Sequence, residues 1–338
     1  MSRTAKEPNV TDAYKKDPDE ERFLDRLNRA LAPLEEEFYV PREETFPTLH
    51  VIGAPRSGTT LLLQLLCSHL DVGCINNLIA AFWMAPTVGI RLSKKLLPPG
   101  ASSSYQSDFA RTRGISEPHE FGYFWSRLLG YPELAYQGED FGRTIDWNRV
   151  RLVITNMAAV YGRPIAFKSF WLAWHMEKMQ QVLRKTCFVF IRRDPVDNAC
   201  SLLRLRKRFL GSIEQWVSMK PAEYEALKEK PCWEQVAGQV FHIEKSIMNG
   251  IRQIDGRNVV EIRYEDLCRH PKAEITKVMR VLNDNGSKTG FLSEPPQSFP
   301  APAREYMTGA ERRLVEEAVM RLYGADSARD GFGKSPEH

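Results

Sequence analysis

Apolar residues recur along this 338-residue chain with two different periods. Near the start, Phe23, Leu24, Leu27 and Leu31 follow one another at helical spacing. They come after Asp17-Pro18-Asp19-Glu20-Glu21, which reads as a helix start: an N-cap, proline at the first helical position and acids in the first turn. Four short, nearly continuous apolar runs then stand apart: TLHVIGA (48–54), PIAFK (164–168), TCFVFI (186–191) and NVVEIRY (258–264). Runs of this length suit strands of a buried parallel sheet. Each is followed by a helical pattern: TTLLLQLLCSHL, apolar on nearly every side and so buried, then 172–184, 195–208, and a helix opened by Pro271 with Ile275, Val278, Met279 and Leu282 on one face. A further helix is expected over 308–323. Strand–loop–helix repeated four times predicts an α/β fold, a three-layer sandwich with a central parallel sheet between helices. Residues 1–16 are expected to be disordered, 17–46 to form an N-terminal helical extension, and 72–160 and 209–255 to be helical insertions. No internal repeat or low-complexity linker divides the chain, so 17–338 reads as one domain.

Composition narrows the function. Hydrophobic residues make up 43% and charged residues 27%, the balance of a globular protein. A chain this long buries roughly three quarters of its unfolded surface and needs no staples. The net charge of +4 is too small to argue for nucleic acid as a partner. The N-terminal stretch lacks the apolar core of a secretory signal. The most apolar segment, NLIAAFWMAPTVGI, is too short to span a bilayer, which leaves only peripheral contact with a membrane. Six scattered cysteines, at 67, 74, 187, 200, 232 and 268, form no C-x-x-C pair and no metal cluster. They read as reduced thiols of a cytoplasmic protein.

Candidate chemistry begins in GAPRSGTT (53–60). Gly53 and Gly58 stand five apart between a strand and a helix, the setting of a phosphate loop. A nucleoside-triphosphate loop needs a lysine directly after its second glycine, and that place holds Thr59. The loop's cation is the internal Arg56. Free N–H groups at the helix start, the hydroxyls of Thr59 and Thr60, and a forked guanidinium would still hold a phosphate or sulfate. The plainer alternative is a glycine turn into a core helix. A magnesium nucleotide also needs a carboxylate at the tip of a neighbouring strand. The run 186–191 ends instead in Arg192 and Arg193, with Asp194 in the turn before Pro195. This points to an anionic ligand held without metal. Arg193 and Ser201, eight residues apart in RRDPVDNACS, could clamp one phosphate, or the turn could simply let Asp194 cap the next helix. Arg204, Arg206, Lys207 and Arg208 read as a solvated helix face.

Loop and clamp together resemble the sulfotransferase family, which takes a sulfuryl group from 3′-phosphoadenosine 5′-phosphosulfate (PAPS). The resemblance covers about 48–283 and implies a P-loop NTPase-like fold. It implies that Arg56, Ser57, Gly58, Thr59 and Thr60 cradle the phosphosulfate, that Arg193 and Ser201 hold the 3′-phosphate, and that Tyr264 of RYEDL lies near the adenine. Lys168 of AFKSFWLAWHM matches a family lysine; with Arg56 it would stabilise charge on the leaving phosphate. No metal is implied. The family's usual places for a general base hold Phe170 and Asn77. The acceptor hydroxyl still has to lose a proton, and EPHEF offers Glu117, His119 and Glu120 in an aromatic surround, with His119 and Glu117 leading. His175 is the other candidate, unless it is a packed core histidine. The insertions 72–160 and 209–255 would line an acceptor pocket for a carbohydrate, lipid or small metabolite, although their aromatics could equally be lid core. The family's C-terminal loop to the 3′-phosphate has no good match, DGFGK (330–334) included. The expected activity is therefore sulfuryl transfer from PAPS to a hydroxyl. A P-loop kinase or NTPase, or a non-catalytic nucleotide-binding protein of the same fold, are the alternatives.

Overall fold

A computed structural model describes residues 10–97, 103–107, 112–300 and 307–330. Its centre is a five-stranded, wholly parallel sheet: β1 (Thr48–Ile52), β2 (Gly73–Cys74), β3 (Ile165–Lys168), β4 (Thr186–Arg192) and β5 (Val259–Arg263), in the spatial order β2-β3-β1-β4-β5. The four apolar runs supply β1, β3, β4 and β5. The fifth strand, β2, has two residues, too few for any period to show. Helices cover both faces and enclose two apolar cores, one built on Ile52, Phe167, Phe188 and Phe190, the other on Leu49, Val51, Ala166 and Val189. Alternate residues of one strand thus serve opposite faces.

Register decides where the chemistry gathers. Val51 of β1 lies beside Lys168 of β3 and Val189 of β4, while Arg192 of β4 lies beside Arg263 of β5. The carboxyl ends of four strands therefore finish at one edge. The phosphate-type loop, Lys168, Arg193 and Tyr264 all emerge there, where chain connections run to either side of β1. Ligands of open parallel sheets bind at such a place.

His50, in the middle of β1, is wholly buried. Its Nδ1 meets Ser169 Oγ at 3.0 Å and its Nε2 meets Thr48 Oγ1 at 3.3 Å, and Thr48 Oγ1 lies 3.2 Å from Thr186 Oγ1. This polar chain crosses three strands, and burial pushes the histidine pKa down to about 3.

The first helix, Pro18–Phe38, starts as expected, with the Asp17 side chain accepting from the Asp19 N–H. It docks through buried polar groups: Asn28 donates to the Ala81 carbonyl, and the Glu35 carboxylate accepts from the N–H and hydroxyl of Thr87. Four expectations need correction. Residues 1–9 lie outside the described residues, but 10–16 are not a disordered arm. Thr11 N–H donates to the Phe209 carbonyl and Tyr14 is buried against the Phe209 ring, so an aromatic anchors an otherwise polar stretch. Cys67 and Cys74 are joined in a disulfide and are not free thiols; the other four cysteines are free. The stretch 172–184 breaks at His175 into a 3-10 turn, Phe170–Trp174, and the helix Met176–Val182, because four of that turn's five residues are packed into the core. The C-terminal helix runs Gly309–Asp330, beyond its expected end at 323. Of DGFGK, residues 331–334 lie outside the described residues.

Candidate active site

The loop after β1 is shaped by its glycines. Gly58 takes a φ of 106° as the cap of the helix Thr59–His69, a conformation that favours glycine. A Cβ there would stand 2.2 Å from the Tyr264 ring, and a Cβ on Gly53 would stand 2.5 Å from Ser57 Oγ. Loop, β5 tip and helix start therefore touch without side chains between them. Arg56 also holds a positive φ, 72°, a strained setting for an arginine and one that clusters at functional sites. The Ser57 hydroxyl is fully buried and has no hydrogen-bond partner among the described residues.

The two basic motifs converge on this loop. Arg193 Nη1 donates to the Arg56 carbonyl at 3.3 Å, and its guanidinium lies 4.8 Å from the centre of the Tyr264 ring. Arg56 Nε in turn donates to Ser201 Oγ at 3.3 Å. Arg56, Arg193, Ser201 and Tyr264, drawn from three distant parts of the chain, are thus one cluster. Burial, with Arg193 as neighbour, pushes the Arg56 pKa down to about 10. Burial likewise raises the Tyr264 phenol to about 12. Asp194 caps the helix Pro195–Leu210 by accepting from Asp197 N–H, so it is not aimed at the loop as a metal carboxylate would be. Arg192 turns away to Glu244, at 3.4 Å. Arg206, expected on a solvated face, is wholly buried and donates to Gln235 and Gln239.

Lys168 ends β3 with its side chain 2% exposed. Its ammonium donates to Thr60 Oγ1 at 3.1 Å and to the Glu120 carboxylate. Burial lowers its pKa, against the pull of Glu120. These groups open on a cavity of about 780 Å³. Among the described residues four cations line it, Lys16, Arg56, Lys168 and Arg193, against one carboxylate, Glu120. Such an excess at a helix N-terminus suits a multiply charged anion.

The candidates for a base separate. Glu117 is 5% exposed and does not line the cavity; its carboxylate accepts from Gln64 Nε2, Ser103 Oγ and Ser104 N–H. Burial works to raise its pKa, but these bonds hold it below the usual value. His119 does line the cavity, and its Nδ1 accepts from Phe121 N–H at 2.9 Å. Protein crowds its inner side and lowers its pKa by desolvation. His175 lies elsewhere, in a second cavity of about 600 Å³, with Nε2 2.6 Å from Tyr131 OH. Half-buried among the rings of Tyr131 and Trp147, it has its pKa lowered to about 4 by desolvation.

The wall was partly unforeseen. Phe170, Trp171, Leu134, Leu205, Phe209 and Val217 supply its apolar part. In EFGYFWSRLLGY, Tyr123 and Ser126 face the cavity while Phe121, Phe124 and Trp125 are core. Of NNLIAAFWMAPTVGI only Asn77 lines it, its amide donating to Gly114 O at 2.7 Å. Lys16 was missed altogether; buried Tyr14 beside it was the available signal.

Among the described residues, no cluster of three or more histidine, cysteine or acidic residues could hold a metal, and no helix is long and apolar enough to cross a membrane. A family model described as the sulfotransferase family matches residues 47–283. No curated protein matches the chain. Among solved structures, sulfotransferase STF9 from Mycobacterium avium is similar with a TM-score of 0.50 at 13% identity, over 94% of this chain and 85% of that one. Sulfotransferase STF1 from Mycobacterium tuberculosis gives 0.47 at 12% identity, over 90% and 79%. A sulfotransferase from Alicyclobacillus acidocaldarius gives 0.42 at 15% identity, over 87% and 98%.

Proposed function

Because this chain belongs to the sulfotransferase family, we propose that it moves a sulfuryl group from PAPS to the hydroxyl of a carbohydrate, lipid or small-metabolite acceptor, without a metal. The observation that carries the reading is the joining of Arg56, Arg193, Ser201 and Tyr264 at the loop, beside a buried Ser57 hydroxyl with no partner among the described residues and an excess of cations. The residues fit a nucleotide with phosphates at both ends. The loop N–H groups, Ser57, Thr59 and Thr60 would take the phosphosulfate. Arg193 and Ser201 would take the 3′-phosphate, and Tyr264 would lie against the base.

Lys168 would then do the main electrostatic work. Its ammonium sits next to Thr60 at the end of the loop, where charge develops on the leaving phosphate. In a buried site such a cation acts strongly on the transition state. Arg56 adds a second positive charge. The kinase alternative lacks its lysine at Thr59, and the strand tip that should carry a metal carboxylate carries Arg193. The test is transfer of labelled sulfate from PAPS to a panel of hydroxyl acceptors. Transfer that persists in EDTA supports the reading; magnesium-dependent phosphate transfer from ATP instead would replace it.

A further inference from the structure

Sulfuryl transfer leaves one task unassigned, removal of the acceptor's proton, and we infer that Glu120 performs it. This rests on the sulfotransferase reading above. Glu120 is the one carboxylate lining the cavity among the described residues, and its side chain is 36% exposed there. Its carboxylate contacts Lys168, the group placed at the leaving phosphate, so acceptor oxygen and sulfur would meet beside it.

The backbone fixes this position. Phe121 holds a φ of 57° and is 1% exposed, stacked on Phe124 at 4.4 Å. A left-handed backbone is rare for so bulky a residue and is kept only where the surroundings enforce it. The turn is closed by Phe121 N–H donating to His119 Nδ1. Glu120 stands between the two, so the same turn that buries Phe121 presents Glu120 to Lys168.

The other candidates fail on atoms. His119 Nδ1 already accepts a hydrogen bond, so the neutral ring carries its proton on Nε2. That nitrogen donates and cannot take a proton. His119 is suited to hold the acceptor oxygen, while Glu117 is committed to Gln64, Ser103 and Ser104. In the step, the acceptor O–H bond breaks and its proton passes to a Glu120 oxygen. The acceptor oxygen bonds to sulfur as the sulfur–oxygen bond to the phosphate breaks, and the electron pair leaves with adenosine 3′,5′-bisphosphate (PAP).

The test is Glu120→Gln against a series of phenols, from phenol to 4-nitrophenol, with PAPS as donor. A base matters most for acceptors that do not ionise unaided. Phenol should slow by about 10²–10⁴-fold, and 4-nitrophenol by much less. PAP should bind as well or more tightly, since a negative charge has left the site, and this also reports that the variant folds. Equal loss across the series, or none, overturns the assignment of Glu120. Failure of the unaltered protein to bind PAP would instead overturn the donor reading.

Discussion

Lys168 and Arg193 are both cations of one cavity, yet they should fail differently. Lys168 is buried beside Thr60 and Glu120, where on the proposed reading its charge would act on the leaving phosphate. Lys168→Ala is expected to lower turnover by about two to three orders of magnitude and to change PAP affinity less. Steady-state kinetics and titration on the same variant check this. Arg193 instead contacts the Arg56 carbonyl and the Tyr264 face, and on the proposed reading it would hold the bound nucleotide. Arg193→Ala should weaken PAP by about 2–5 kcal/mol, the cost of a buried charge pair broken on one side. Unchanged affinity would remove Arg193 from the site.

At the scale of elements, the site is a junction of the loop after β1 with the tip of β5. Gly58 packs directly under Tyr264. Gly58→Ala would need a left-handed alanine, costing about 1–2 kcal/mol, and would push the ring aside. PAP affinity should fall at least tenfold, and the loss should shrink in a Tyr264→Ala background, where only the backbone strain remains. These elements were legible because each of the four longer strands is a dense apolar run followed by its candidate site residue: Gly53, Lys168, Arg193, Tyr264. What was not legible came from packing between segments. Glu120 stood in the quoted cluster behind His119 and Glu117; only the turn at Phe121 separates the three. Lys16 enters the cavity wall because Tyr14 is buried on Phe209, a contact across the chain that no local period records. The Cys67–Cys74 disulfide depends on β2, a strand too short to announce itself.

For the whole molecule, two histidines with lowered pKa, His50 buried and His175 half-buried, tie stability to pH. His50 has its pKa lowered to about 3 by burial, and His175 to about 4 by the same cause. An unfolded chain binds protons at both from about pH 6.5 downward, while the folded chain does not. Stability is therefore full above about pH 6.5 and falls as pH drops towards the folded values. At pH 4, His50 alone should cost roughly 3 kcal/mol. Thermal melts from pH 7 to 4 check this, and His50→Phe should flatten the acid limb. The central claim, that the edge of this sheet holds a nucleotide with phosphates at both ends and needs no metal for it, is tested most directly by calorimetric titration with PAP in EDTA, with ATP and magnesium in parallel. Micromolar PAP binding that survives EDTA, with weak ATP binding, is the expected result. Tight ATP binding that needs magnesium, with none for PAP, would contradict it.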